Sequence, residues 1–340
     1  MNSSKDKTVY IAYWMKRYLG EYLTTVKNMS PNTQKSYRDT FRMLLPYVGA
    51  ILKCPVDKIE LNAISDKMVL AFLDEIESVR GCTVRTRNQR LAAITAFAKY
   101  VSMHGPEYVE WCRTIRNIPM KKTIQPQITY LEQDEMNAIL NAPDRSSAQG
   151  RRDYALLLFM YNTGTRAEEV ASLRIRDISE QYGKSGLSIV TILGKGRKTR
   201  RCPLWKNTGD IISDLIGNRN AEDHVFLNRF GEQLTRHGIY AIVTRYAREA
   251  SDKYPSISEK RVSPHTIRHT TATHLLQAGV DINTIRAWLG HVSINTTNIY
   301  AEVNMEMKVK ALLACEVSGS GKKKKHWRDD ENLMSFLDNL

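Results

Sequence analysis

Apolar positions along this chain change period several times, and each change marks an element. Ser30-Pro31 pairs an N-cap with a first-turn proline. Beyond it Tyr37, Phe41, Leu44 and Leu45 share one face of a helix, with Lys35, Arg38 and Arg42 as a basic stripe beside them. A second helix is predicted from about Thr83 to Val101. It buries Leu91, Ile94, Ala98 and Val101 and carries Arg85, Arg87 and Arg90 in its first turns. Periodicity lapses over Ile118 to Thr129, where Pro119, Pro126 and the pair Lys121 and Lys122 have linker composition. It resumes over Tyr130 to Leu140, and a strand-like run at Leu187 to Leu193 opens a small sheet expected near residues 187 to 204. Ser263-Pro264 starts another helix, and the one-sided apolar stretch Asp281 to Leu289 closes at Gly290. After Ala314 the character changes. Ser318-Gly319-Ser320-Gly321 and Lys322 to Lys325 form a low-complexity tether. Leu333, Phe336, Leu337 and Leu340 then fall on one face of a short acidic helix that has no core of its own.

Length and charge narrow the class. At 340 residues one core rarely serves the whole chain, so two domains are expected. Fifty Lys and Arg against 36 Asp and Glu give a formal charge of +14, which suits a polyanionic partner but on its own marks only a basic protein. Cys54, Cys82, Cys112, Cys202 and Cys315 are scattered, without a C-x-x-C pair, and fit a reducing cytoplasm. The longest apolar run, Tyr154 to Tyr161, is too short for a membrane span, and the amino terminus has no signal-peptide core.

Candidate chemistry is concentrated in the second half. Thr163-Gly164-Thr165-Arg166-Ala167-Glu168-Glu169 stands about a hundred residues before Pro264-His265-Thr266-Ile267-Arg268-His269; Leu289-Gly290-His291 and Asn298-Ile299-Tyr300-Ala301 follow. Gly164 reads as a helix end and Thr165 to Glu168 as a capping box, which puts Arg166 at the first position of a new helix. His265 and Arg268 lie three apart on one helical face. Two arginines at helix N-termini would clamp a phosphate. Taken singly, each residue has a plain structural reading: a surface ion pair for either arginine, a hydrogen-bonded structural role for a histidine, half-buried packing for the tyrosine. His269 and His274 are assigned that role. The set gains its meaning from the motifs occurring together and in order, as a phosphoryl-transfer site built without a metal.

On these motifs the chain, from about Val9 to Ala314, resembles the tyrosine recombinases of the phage-integrase and Xer type. The resemblance implies a mainly α fold with a small antiparallel β-sheet. It implies a two-domain clamp: a helical core-binding domain over residues 1–117, a linker over 118–129 and a catalytic domain over 130–314, followed by a tail over 315–340. It assigns Arg166, His265, Arg268 and His291 to the phosphate and its proton transfers, Glu169 to supporting Arg166, and Tyr300 to the nucleophile. A lysine on a G-K-G hairpin turn matches Lys195, with Lys198 as a nearby rival. Arginines would stabilise the charged transition state, His265 would take or orient the Tyr300 proton, and the lysine would protonate the departing 5′-oxygen. A 3′-phosphotyrosine link conserves the phosphodiester energy, so no cofactor, ATP or metal is expected. Lys35, Arg38, Arg42, Arg85, Arg87 and Arg90 become candidate phosphate contacts. The implied partners are a double-stranded DNA recombination site and a homo-tetramer on synapsed DNA, with no membrane association. The tail helix would dock either on its own domain or on a neighbouring protomer. The implied setting is cytoplasmic and nucleoid-associated, on a mobile element. A type IB-like topoisomerase shares nearly the same residues, a non-catalytic DNA-binding descendant would lack one of them, and a histidine-based metal hydrolase lacks a carboxylate at the right spacing.

Overall fold

Side-chain caps decide where most of the helices begin. In the computed structural model, which describes residues 9–123, 128–182, 187–194, 196 and 198–290, the chain falls into two units that meet between Pro126 and Gln127. In the first, the hydroxyls of Ser30, Ser65 and Thr83 accept from the backbone N–H three residues on. Each satisfies a donor that the helix start would otherwise leave unpaired. The helices are α1 (Ile11–Arg17), continued by a π-helical stretch Tyr18–Val26, then α2 (Pro31–Leu52), α3 (Asp66–Ser78), α4 (Val84–His104) and α5 (Val109–Arg116). Their core holds Trp14, Phe41, Leu44, Phe72, Leu91, Ile94, Phe97 and Val101, so the predicted faces of α2 and α4 are the ones buried.

The first residues of the segment read as linker are fastened to the first unit. Ile118 is buried in the first core. The Pro119 carbonyl accepts from Arg87 Nη1, and the Lys121 backbone exchanges two hydrogen bonds with the Asn88 side chain. The prolines prevent helix here, yet the chain stays fastened to α4 by polar bonds that hydrophobic periodicity does not report.

In the second unit α6 (Gln133–Asn141) precedes α7 (Ala148–Thr163), whose residues from Ala155 to Thr163 are all buried. The apolar run Tyr154 to Tyr161 is therefore the central helix of this core. After the short α8 (Ala167–Ala171) come β1 (Ile178–Tyr182), β2 (Leu187–Leu193) and β3 (Thr199–Pro203), an antiparallel meander in the order β1-β2-β3. The strand β1 lies outside the window expected for the sheet. Leu193 pairs with Thr199, and Gly194 N donates to Lys198 O at 2.8 Å, closing the β2–β3 turn. Then follow α9 (Lys206–Ile216), α10 (Arg236–Ser251), α11 (Pro264–Gln277) and α12 (Ile282–Leu289). The fold is mainly helical with one small antiparallel sheet, as the resemblance implied. Among the described residues no helix is long and apolar enough to cross a membrane.

Candidate active site

The turn between α7 and α8 is built on Gly164. Its φ of +60° ends α7 in the left-handed region, and a Cβ there would lie 2.4 Å from Leu289 Cδ2, so both backbone conformation and close approach require glycine. Two residues on, Arg166 is the N-cap of α8. This corrects the expected register by one: the carboxylate that reaches back is that of Glu169, accepting from Arg166 N at 2.9 Å, so Arg166 precedes the helix and Thr165, buried, does not cap it. The other Glu169 oxygen accepts from Arg166 Nη1 at 2.7 Å. Glu169 thus binds both the backbone and the side chain of Arg166.

Ser263 caps α11, with Thr266 returning the bond to Ser263 N. On the next turn Arg268 is only 3% exposed. Its Nη1 donates to Gly164 O at 2.6 Å and its Nη2 to Leu289 O at 2.7 Å. The expectation of two arginines acting from helix N-termini therefore needs correction. Arg166 caps a helix of only five residues, and the Arg268 side chain spans the C-terminal carbonyls of α7 and α12. Those unpaired carbonyls and the negative ends of two helix dipoles offset the cost of burying the cation. His265, one turn back, is exposed and borders an open cleft of about 250 Å³ shared with Ala167, Arg236, His237 and Tyr240. Partial desolvation, then the charges of Arg268 and Arg166, hold its pKa below the ordinary histidine value, so the ring is neutral and able to accept a proton at pH 7.

A third arginine was missed in the sequence. Arg200 on β3 donates from Nη2 to Glu169 Oε2 at 2.7 Å and from Nε to Trp288 O at 2.9 Å. Alternation along Arg200, Cys202 and Leu204, against the outward Thr199, Arg201 and Pro203, was the available signal. Burial pushes the Glu169 carboxyl up, but Arg200 first and Arg166 after it bring its pKa below the usual value, so this carboxylate is ionised between two cations. Arg236, His237 and Tyr240 in the cleft were also missed, since their proximity to His265 is purely tertiary. Lys195, His291, Tyr300 and the stripe Leu333, Phe336, Leu337 and Leu340 lie outside the described residues.

In the first unit Lys35, Arg38, Arg42 and Arg85 are exposed. Arg38 is engaged with Asp39. Arg87 and Arg90 are not solvent-facing. Arg87 is 2% exposed, and Arg90, half-buried, donates from Nη1 to Ser36 O and Thr40 Oγ1, both at 3.1 Å. Because α4 is flanked by α2 on one side and by the Ile118–Lys121 segment on another, part of its basic stripe serves as internal fastening. These two are thereby corrected from candidate DNA contacts to packing residues.

His274 is half-buried and bonded through Nδ1 to the Tyr161 hydroxyl at 2.7 Å, in the structural role expected. His269 is held neutral: burial first, then repulsion from His265 when that ring is protonated and from the Arg268 charge, push its pKa down to about 4. The unfolded chain protonates such a ring near pH 6.5. Between those values the unfolded state binds the extra proton, so stability is full above the upper one and falls as pH drops toward the lower. The melting temperature is expected to decline over this window, and His269→Asn to flatten the decline. Equal slopes in both proteins would assign the loss to other groups.

Comparison with known proteins places the chain in a family. Residues 129–307 match the phage integrase family, and residues 15–104 match the phage integrase N-terminal SAM-like domain. The chain is 36% identical, over 98% of its length and 99% of the relative's, to a protein named as the integrase/recombinase y4rC in Sinorhizobium fredii. It is 30% identical to tyrosine recombinase XerD of Listeria innocua serovar 6a, over 83% of this chain and 91% of that one. Among solved structures, the Tn1549 transposon integrase in complex with transposon right end DNA aligns with 89% of this chain and 99% of its own, with a TM-score of 0.67 at 14% identity, a likeness of fold. With residues 129–307, more than half of the chain, matched by the family and with relatives such as these named as recombinases, the chain belongs to the phage integrase family and is a tyrosine recombinase, an enzyme of site-specific recombination.

Proposed function

We propose that this recombinase binds double-stranded DNA and cleaves it through Tyr300, leaving a 3′-phosphotyrosine link that a second 5′-hydroxyl reverses. The observation that carries the reading is the convergence of Arg166, Arg268 and His265. Arg268 binds the carbonyl of Gly164, two residues before Arg166, and His265 feels the charge of both arginines at the edge of an open cleft. In this reading the arginines donate to the non-bridging oxygens of the attacked phosphate, because a guanidinium keeps its charge and matches an oxyanion with paired donors. Neutral His265 accepts or orients the Tyr300 proton, His291 hydrogen-bonds the phosphate, and Lys195 protonates the leaving 5′-oxygen. The net charge of +14 and the exposed Lys35, Arg38, Arg42 and Arg85 support DNA as partner and residues 1–117 as a core-binding domain. Assembly into a homo-tetramer on two synapsed sites, and docking of the tail stripe on a neighbouring protomer, belong to the same reading.

Charge neutralisation comes here from arginine and lysine, so the reaction is expected to proceed in excess EDTA and without nucleotide. Sites selected from a random-sequence DNA pool and rebuilt as nicked suicide substrates provide the test. A covalent protein–DNA adduct formed in EDTA is the expected product. DNA binding that survives chelation while cleavage stops would show that the mechanism needs a metal.

A further inference from the structure

We propose that Arg200 is a positioning residue for strand cleavage, joining the Arg166 support to the two segments that lead into Lys195 and His291. This rests on the reading of those residues given above. The β3 alternation turns Arg200 inward, its side chain 8% exposed. One edge of its guanidinium donates to Glu169, which holds Arg166. Its Nε donates to Trp288 O in the last turn of α12, next to the Leu289 carbonyl taken by Arg268. Two glycines close on the same side chain. A Cβ on Gly290 would stand 3.1 Å from Arg200 Cδ and 3.3 Å from its Nη1. A Cβ on Gly194 would stand 3.4 Å from Glu169 Oε1 and 3.5 Å from Arg200 Nη1. One buried cation therefore abuts the residue before Lys195, the residue before His291 and the carboxylate that orients Arg166.

Such a hub has physical consequences. Without Arg200, the Glu169 carboxylate has Arg166 as its one remaining ion-pair partner among the described residues and would draw that guanidinium inward, away from a phosphate. The Trp288 carbonyl would keep only the weak donor Cys202 Sγ at 3.5 Å, and the tie between the last turn of α12 and the hairpin would weaken. A lysine could meet one of these partners but not both, because its ammonium is a single point and not a fork. Misplacement of reacting groups by about 1 Å costs on the order of 10²-fold in rate.

The test uses the full-length protein on nicked suicide substrates, with single-turnover cleavage at saturating DNA and DNA affinity measured in parallel. Arg200→Lys and Arg200→Gln are each expected to cleave on the order of 10²-fold more slowly while binding DNA as the wild type does. Combined with Glu169→Gln, Arg200→Gln is expected to add little, since both act through the placement of Arg166. Cleavage by Arg200→Lys within about threefold of wild type, or losses that multiply in the double variant, would overturn the proposal. If Arg200→Gln does not fold, Arg200→Lys decides the matter alone, because it keeps the buried charge. Absence of any adduct from the wild-type protein would instead overturn the reading of the reaction itself, so the two failures are separable.

Discussion

Tyr300→Phe is expected to bind its DNA site with unchanged affinity and to form no covalent adduct on nicked suicide substrates. The substitution keeps the ring and its packing and removes only the attacking oxygen. A tyrosine hydroxyl with an ordinary pKa of about 10 is a weak nucleophile at neutral pH, so it depends on a cationic surrounding and a proton acceptor. Arg166, Arg268 and neutral His265 can supply both, one from the α7–α8 turn and two from α11. Serial loss of the adduct in this variant, with binding intact, separates chemistry from recognition. Adduct formation by the phenylalanine protein would rule Tyr300 out and send the search to another hydroxyl.

Loss of the proton donor should be the next largest effect. Lys195→Ala is expected to slow cleavage of ordinary DNA by about 10² to 10⁴-fold. A substrate with a bridging 5′-phosphorothiolate expels its leaving group without protonation, so it should restore the Lys195→Ala rate. Arg268→Ala should gain no such rescue, because in the proposed mechanism that side chain stabilises charge, and it also ties Gly164 to Leu289. The G-K-G turn of the resemblance assigns the role to Lys195, with Lys198 as its rival. Gly194 and Gly196 flank Lys195, and Gly194 faces Glu169 and Arg200, whereas Lys198 is exposed at the foot of the turn with its carbonyl accepting from Gly194 N. Rescue of Lys198→Ala instead would transfer the role.

Much of the local architecture could be read before any coordinates. The caps at Ser30 and Ser263, and the helix-closing glycines Gly164 and Gly290, appear where expected, because a cap is a contract among residues within one turn. The same locality explains why His265 and Arg268 were found: their motif lies on one helix. Even there the limit shows at Arg166, where the choice between Thr165 and Arg166 as N-cap turned on which carboxylate reached back, and Glu169 did.

Longer-range matters could not be read this way. A basic stripe on α4 looks alike whether it meets solvent or another element, and only packing against α2 and the Ile118–Lys121 segment buried Arg87 and engaged Arg90. Arg200 binds partners 31 and 88 residues away, and no periodicity in β3 names them. Motif order and capping chemistry, both local, were sufficient to identify the family. Which arginine contacts which carbonyl or carboxylate, and hence how Arg166, Arg268 and Arg200 share one site, was decided by tertiary structure, because a buried guanidinium is held only where donors and acceptors from distant segments satisfy it together.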